Sequence, residues 1–222
     1  MPFPTSTVGR KLVMAVTGQL MVLFVLGHVA GNSTIYFHKL NAYAAGLHAL
    51  PALVWAVRLT MLAAVLLHIF YAVQLKLENS DARPEPYEKK KNLESTFGGR
   101  NMVWTGAIIG TFLVYHLLHF TFQVIEPATA ALRNPDAAGR PDVFLMVARS
   151  FQRTGIAALY LFAVTALWFH LSHGIQSSFQ TLGLNGERSF PSIRKGGSLA
   201  AVGLLLAYAS IPIALAIGLV LR

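Results

Sequence analysis

Five apolar runs, at about 12–37, 53–77, 102–126, 152–176 and 198–221, leave this chain few folds to choose from. Each is long enough to cross the hydrocarbon core of a bilayer, which takes about 20 apolar residues at a helical rise. That core holds no water to satisfy backbone N–H and C=O groups, so a spanning segment of this kind is helical. The sequence therefore predicts an all-α integral membrane protein, a five-transmembrane-helix bundle forming a single membrane domain over 1–222. Arg10 and Lys11 ahead of the first run imitate a signal peptide. The run is too long for one, however, and no small-residue cleavage site follows, so it is read as a helix.

Charge makes up only 12% of the chain and collects between the runs. The longest polar connection, Glu78 to Asn101, is too short for a domain, so any flavin, nucleotide or soluble-substrate site has to lie on another subunit. The net charge of +9 suits anionic lipid or an acidic partner; nothing in its pattern points to nucleic acid. With no cysteine, disulfides, iron–sulfur ligands, thiolate-bound haem and covalent haem attachment are all excluded. Outside the runs, the connection from Pro127 to Phe151 carries an apolar patch around Val143 to Val147, which predicts a short interfacial helix. No internal repeat stands out.

The basic residues give a direction. Arg10, Lys11, Lys76, Arg83, Lys89, Lys90, Lys91, Arg100, Arg188, Arg194 and Lys195 fall on one side. Lys39, Arg58, Arg133, Arg140, Arg149, Arg153 and Arg222 fall on the other. Eleven against seven places the N-terminus in the cytoplasm and the C-terminus outside, in a membrane of the bacterial inner type.

Four of the five runs each contain a histidine in their apolar interior: His28, His68, His116 and His170. An ionisable group at membrane depth is a functional hypothesis by default. With alternating helix directions, His28 and His116 lie about 21–24 Å from the inner end of their runs, and His68 and His170 about 9–14 Å. The depths sort into an outer pair, His28 with His116, and an inner pair, His68 with His170. Two histidines at one depth on neighbouring helices can hold a haem iron from both faces. Zinc or copper would recruit carboxylates, thiolates or closely spaced histidines, and the runs carry Asp and Glu only at their ends. His119 and His173 each follow a paired histidine at i+3 and share its helix face. Depth leaves His116 and His119 open as the partner of His28, and the alternative role for His119 and His173 is a supporting hydrogen bond. Gly27, Gly31, Gly106, Gly110 and Gly174 suit a bulky group or plain helix packing. Arg58 and Arg153, near the outer ends, are candidate propionate partners. His38 and His48 fall in the first outer loop.

These residues resemble the dihaem cytochrome b membrane-anchor subunits of succinate dehydrogenases and fumarate reductases, over nearly the whole chain. The resemblance is carried by GRKLVMAVTGQLMVLFVLGHVAGN around His28, LLHIFYAVQL around His68, FLVYHLLHFTF around His116 and FHLSHGIQSSFQTLGLN around His170. It implies two haems b in bis-histidine ligation, His68 with His170 for the inner haem and His28 with His116 for the outer one. It also favours His116 and His170 as ligands over His119 and His173. The implied partners are a flavoprotein and an iron–sulfur subunit on the cytoplasmic side, docked on the loop from Arg83 to Arg100, with exchange of electrons with quinone, menaquinone rather than ubiquinone. Some fumarate-reducing relatives place a proton-carrying carboxylate two residues before the ligand at His170. Here that position is Trp168, which implies that no such proton path exists. Asn32, Tyr43, His48, Arg58, Gln123 and Glu126 are the quinone-site candidates near the outer haem. Two other readings stay open. One is a dihaem cytochrome b serving a hydrogenase or formate dehydrogenase; the other is a haem-free membrane anchor or transporter.

Overall fold

A computed structural model describes residues 6–82 and 96–220. Arg83, Lys89, Lys90, Lys91 and Arg222, which enter the charge asymmetry, lie outside the described residues, as does most of the docking loop that begins at Arg83. The first spanning helix, α1, is Thr7–Asn32, started by Ser6, whose hydroxyl accepts the Gly9 N–H at 3.0 Å. Such a cap contributes about 1 kcal/mol. A tighter 3₁₀ turn, Ser33–Phe37, extends it until the left-handed His38, at φ 54°, ends the rod. The first outer loop then holds a helix that the apolar pattern does not announce, α2, Leu40–His48. Helix α3, Pro51–Asp81, opens with proline in the first turn, where its missing N–H costs nothing.

Beyond the undescribed stretch, the single turn α4, Phe97–Arg100, is capped by Thr96. One turn has no stability of its own; it is held by close approach to a neighbouring helix described below. Helix α5, Met102–His116, passes without a break into a wider π-helical turn, Leu117–Thr121, so the third run ends at Thr121 rather than 126. The expected interfacial helix is α6, Val143–Gln152, capped by Asp142, which accepts the Leu145 N–H at 2.9 Å. Helices α7, Thr154–Thr181, and α8, Phe190–Ala216, complete the bundle. Five helical segments are thus long and apolar enough to cross a membrane, and no strand occurs among the described residues. The protein is an all-α, multi-pass membrane bundle.

Helix α7 is the centre of the packing, set against α8, α5, α1, α4 and α6. One core lies behind it, where Leu171 and Ile175 meet Val29 of α1 and Ala201 and Leu204 of α8. A second core, at the outer end, joins Ile35, Leu40, Ala148, Phe151, Tyr160 and Leu215. Helix α3 packs on α1 and, at its start, on α2, and buries only Ala64 and Leu75. Its remaining apolar side chains, among them Leu59, Leu62, Leu66 and Phe70, face outward, as suits a surface solvated by lipid. Helices α1, α3, α5 and α7 thus form a four-cornered arrangement with three packed sides, α1–α3, α1–α7 and α5–α7; α3 and α5 do not pack extensively on one another.

Candidate dihistidine sites

The two diagonals of that arrangement carry the histidine pairs. His68 of α3 faces His170 of α7 with ring centres 6.4 Å apart. His28 of α1 faces His116 of α5 at 5.9 Å, with the ring planes almost perpendicular at 89°. The side chains meet across gaps that the backbones do not close.

At the inner pair, hydrogen bonds fix which ring nitrogen is protonated. The Nδ1–H of His68 donates to the Met14 carbonyl at 3.0 Å, with the Thr17 hydroxyl at 3.3 Å beside it. Thr105 donates its own proton to the Asn101 carbonyl at 3.0 Å, so its oxygen accepts the Nδ1–H of His170 at 3.1 Å. Both rings are thereby left with an unprotonated Nε2, the form that binds a metal. Gly18 and Gly106 lie against the rings: a Cβ on either would meet His68 at 3.4 Å or His170 at 3.5 Å, in ordinary contact, so a longer side chain has to contend with the ring. Thr17-Gly18 of α1 and Thr105-Gly106 of α5 therefore do the same job for the next spanning helix along. Each pair stands eleven residues ahead of its own helix's histidine, a spacing visible in the sequence once its purpose is known.

The outer pair is braced differently. His116 has its Nδ1 3.3 Å from the Tyr160 hydroxyl, and His28 stacks on Phe24 at 5.4 Å with Tyr208 nearby. Among the described residues, no atom beyond their own helix turn lies within 4 Å of where a side chain would begin on Gly27 or Gly110. His119 is almost fully buried, at 2% exposure, and both its ring nitrogens are engaged. Nδ1 is 2.9 Å from Tyr160 Oη, and Nε2 is 3.1 Å from Glu126 Oε2 and from Ser150 Oγ. Ser150 donates to Glu126 at 2.7 Å, and the exposed Arg153 pairs with the same carboxylate. Burial alone would raise the Glu126 carboxyl, but the Ser150 and His119 hydrogen bonds and the Arg153 charge hold it below its ordinary value. His173 is drawn to the inner edge, where Thr96 at 3.3 Å and Gln176 at 3.5 Å flank its Nδ1. Beside it, a Cβ on Gly98 would run into the Phe169 carbonyl, which is why α4 can lie so close to α7.

The remaining candidates do not converge. Arg58 lies over Trp55 at 5.3 Å on the outward face of α3, and Arg153 is committed to Glu126. Nδ1 of His48 turns back to the Ala44 carbonyl at 2.8 Å, and Tyr43 packs over Gly31. Asn32 closes α1. Gln123 sits in a left-handed conformation at φ 56° and lines an open hollow with Phe122, Pro127, Leu132 and Arg133. No hydrogen bond joins any of the six quinone-site candidates to another among the described residues. The contributions of Tyr160, Ser150, Thr17 and Thr105 were not indicated by periodicity, because each partner lies far away in sequence.

Fold and site together describe a helical membrane bundle with two histidine pairs at different levels along its helices, neither pair itself including a carboxylate. Compared with protein-family models, with curated proteins and with solved structures, the chain finds no match.

The fit of these sites to a metal group follows from their donors. Each pair offers two imidazoles facing one another, whereas a structural tetrahedral zinc site takes four protein ligands. Two imidazoles clamping one metal at about 2.0 Å from each nitrogen stand with ring centres roughly 6 Å apart. Both pairs have that spacing. The residues fit a bis-histidine haem.

Proposed function

We propose that the chain is the membrane-anchor cytochrome b subunit of a succinate dehydrogenase or fumarate reductase. In this reading His68 and His170 hold an inner haem b, and His28 and His116 an outer one. The observation that carries it is the pair of diagonal dihistidine contacts, each with anchored Nδ1 atoms on at least one ring and no competing carboxylate. Bound there, the haems supply one-electron carriage between an iron–sulfur subunit and quinone, menaquinone rather than ubiquinone. The chain's own contribution is to fix the ligating tautomers, keep the sites apolar and set the two haems at separate depths. It holds no dicarboxylate site; succinate chemistry belongs to a flavoprotein partner.

The sequence motifs around the four histidines and the basic bias toward the N-terminal side support cytoplasmic docking of the catalytic subunits. Trp168, which stands where some relatives carry a proton-conducting carboxylate, has a buried Nε1 with no hydrogen-bond partner among the described residues. Menaquinone reduction by succinate in such a complex would draw on the membrane potential, at about 2.3 kcal/mol per charge per 100 mV.

A reduced-minus-oxidised spectrum with haem quantification on the purified complex tests the reading. Two b haems per copy are expected. His116→Ala removes one of them, while His119→Ala leaves both in place. A colourless chain would return it to the haem-free anchors.

A further inference from the structure

The chain of contacts behind His116 runs in one direction, and its ends determine which. Glu126, as a carboxylate, only accepts hydrogen bonds. The Nε2 of His119, 3.1 Å away, must therefore carry a proton and donate it. That leaves Nδ1 of His119 as a lone pair, which takes the Tyr160 O–H at 2.9 Å. The Tyr160 oxygen is then free to accept the Nδ1–H of His116 at 3.3 Å. Ser150 and Arg153 hold the carboxylate from the other side. Every donor in the series points toward one anion. The π-helical turn at Leu117–Thr121 follows directly on His116 and carries His119 into this packing. Phe120 stacks on the His119 ring at 4.0 Å and Phe151 closes over Tyr160 at 4.9 Å, so the series is walled by aromatic rings.

We propose that Tyr160, His119, Ser150 and Glu126 are positioning residues that set the electron-donating strength of His116, and so lower the reduction potential of the outer haem. The proposal rests on the haem reading above. Its physical basis is that charge-assisted hydrogen bonds in series polarise one another. A ligating imidazole whose Nδ1–H is drawn toward an anion becomes a more basic ligand. A more basic ligand favours the oxidised, more positive iron over the reduced one. The inner pair has no such device. His68 donates to a backbone carbonyl and His170 to a threonine hydroxyl that ends on another carbonyl. Among the described residues, only the outer site is wired to a carboxylate.

The test is a redox titration of the haem bands in the intact complex, for the wild type, Glu126→Gln, Tyr160→Phe and the double variant. Glu126→Gln should raise the reduced-to-oxidised ratio of the outer haem about tenfold at a fixed ambient potential, a shift of about 59 mV for one electron. Tyr160→Phe should shift it the same way. The double variant should go no further than Tyr160→Phe alone, because the link is already cut. The inner haem should not move. If Glu126→Gln fails to assemble, His119→Phe interrupts the same series while keeping a ring against Phe120. A complex with two haems whose outer potential ignores these variants overturns this proposal alone. So does one in which both haems move equally, or in which the Glu126 and Tyr160 effects add. A wild-type complex without haem overturns this proposal and the haem reading together.

Discussion

The inner and outer histidine pairs share a plan but are supported by different means. The inner rings are held by direct bonds to backbone and threonine on the adjacent helix, each beside a glycine. The outer pair is asymmetric. His116 leans on a tyrosine and a buried polar network drawn from three separate segments, whereas His28 is held by aromatic stacking. Support from one adjacent helix turn is rigid and independent of its surroundings. Support from a network transmits whatever happens at its far end, which here is the exposed side chain of Arg153.

The inner pair is most vulnerable at Gly106. Gly106→Leu pushes a side chain into the space of the His170 ring. Overpacking of this kind costs roughly 1–3 kcal/mol, so the inner site should lose most of its haem while the outer site keeps its own. Gly110→Ala, facing open space, should change neither; equal loss at both sites from Gly106→Leu would mean the pairs are not independently supported. A smaller effect separates the two inner rings. Thr105→Val removes the acceptor for His170 Nδ1–H and should weaken inner haem retention about tenfold. Thr17→Val should do less, because His68 keeps the Met14 carbonyl. Retention assays under mild detergent stripping read both, and a larger effect at Thr17 would reverse the assignment.

The smallest effect belongs to the outer cap. Asn41 of α2 donates to Asp136 at 3.2 Å and to Asp142 at 2.9 Å, and accepts the Phe144 N–H at 2.8 Å, tying the first outer loop to α6. Hydrogen bonds from the Arg140 side chain and backbone hold the Asp136 carboxyl down to about 2. A depressed carboxyl stabilises where it is ionised, so its contribution is complete above about pH 4 and is lost as pH falls through about 2. The amide shifts of Ala138 and Arg140, both bonded to Asp136 Oδ1 at 2.9 Å, should titrate with that low midpoint. A midpoint near 4 would show the cap to be loose.

Much of this was legible in the sequence for a definite reason. Helix direction alternates and rise is constant, so depth alone indicated that His28 should stand level with His116, and His68 with His170; the structure brings those rings together. The apolar patch at Val143 to Val147 also gave away α6. Periodicity could not reveal α2, whose residues read as loop, nor the wide turn after His116, which is set by contacts rather than propensity. It could not choose between His116 and His119 either. In the structure Tyr160, Ser150 and Glu126, from three separate segments, close around His119 and engage both its nitrogens, while His116 faces His28. The Thr-Gly pairs ahead of His28 and His116 were in plain view, yet each serves the histidine of a different helix, which no scan along one segment detects.

Because α3 packs along α1 but not extensively along α5, the four histidine-bearing helices are stitched together through the α1–α7 seam rather than as a closed ring. Each dihistidine contact crosses that seam, so whatever the imidazoles jointly hold also laces one helical pair to the other.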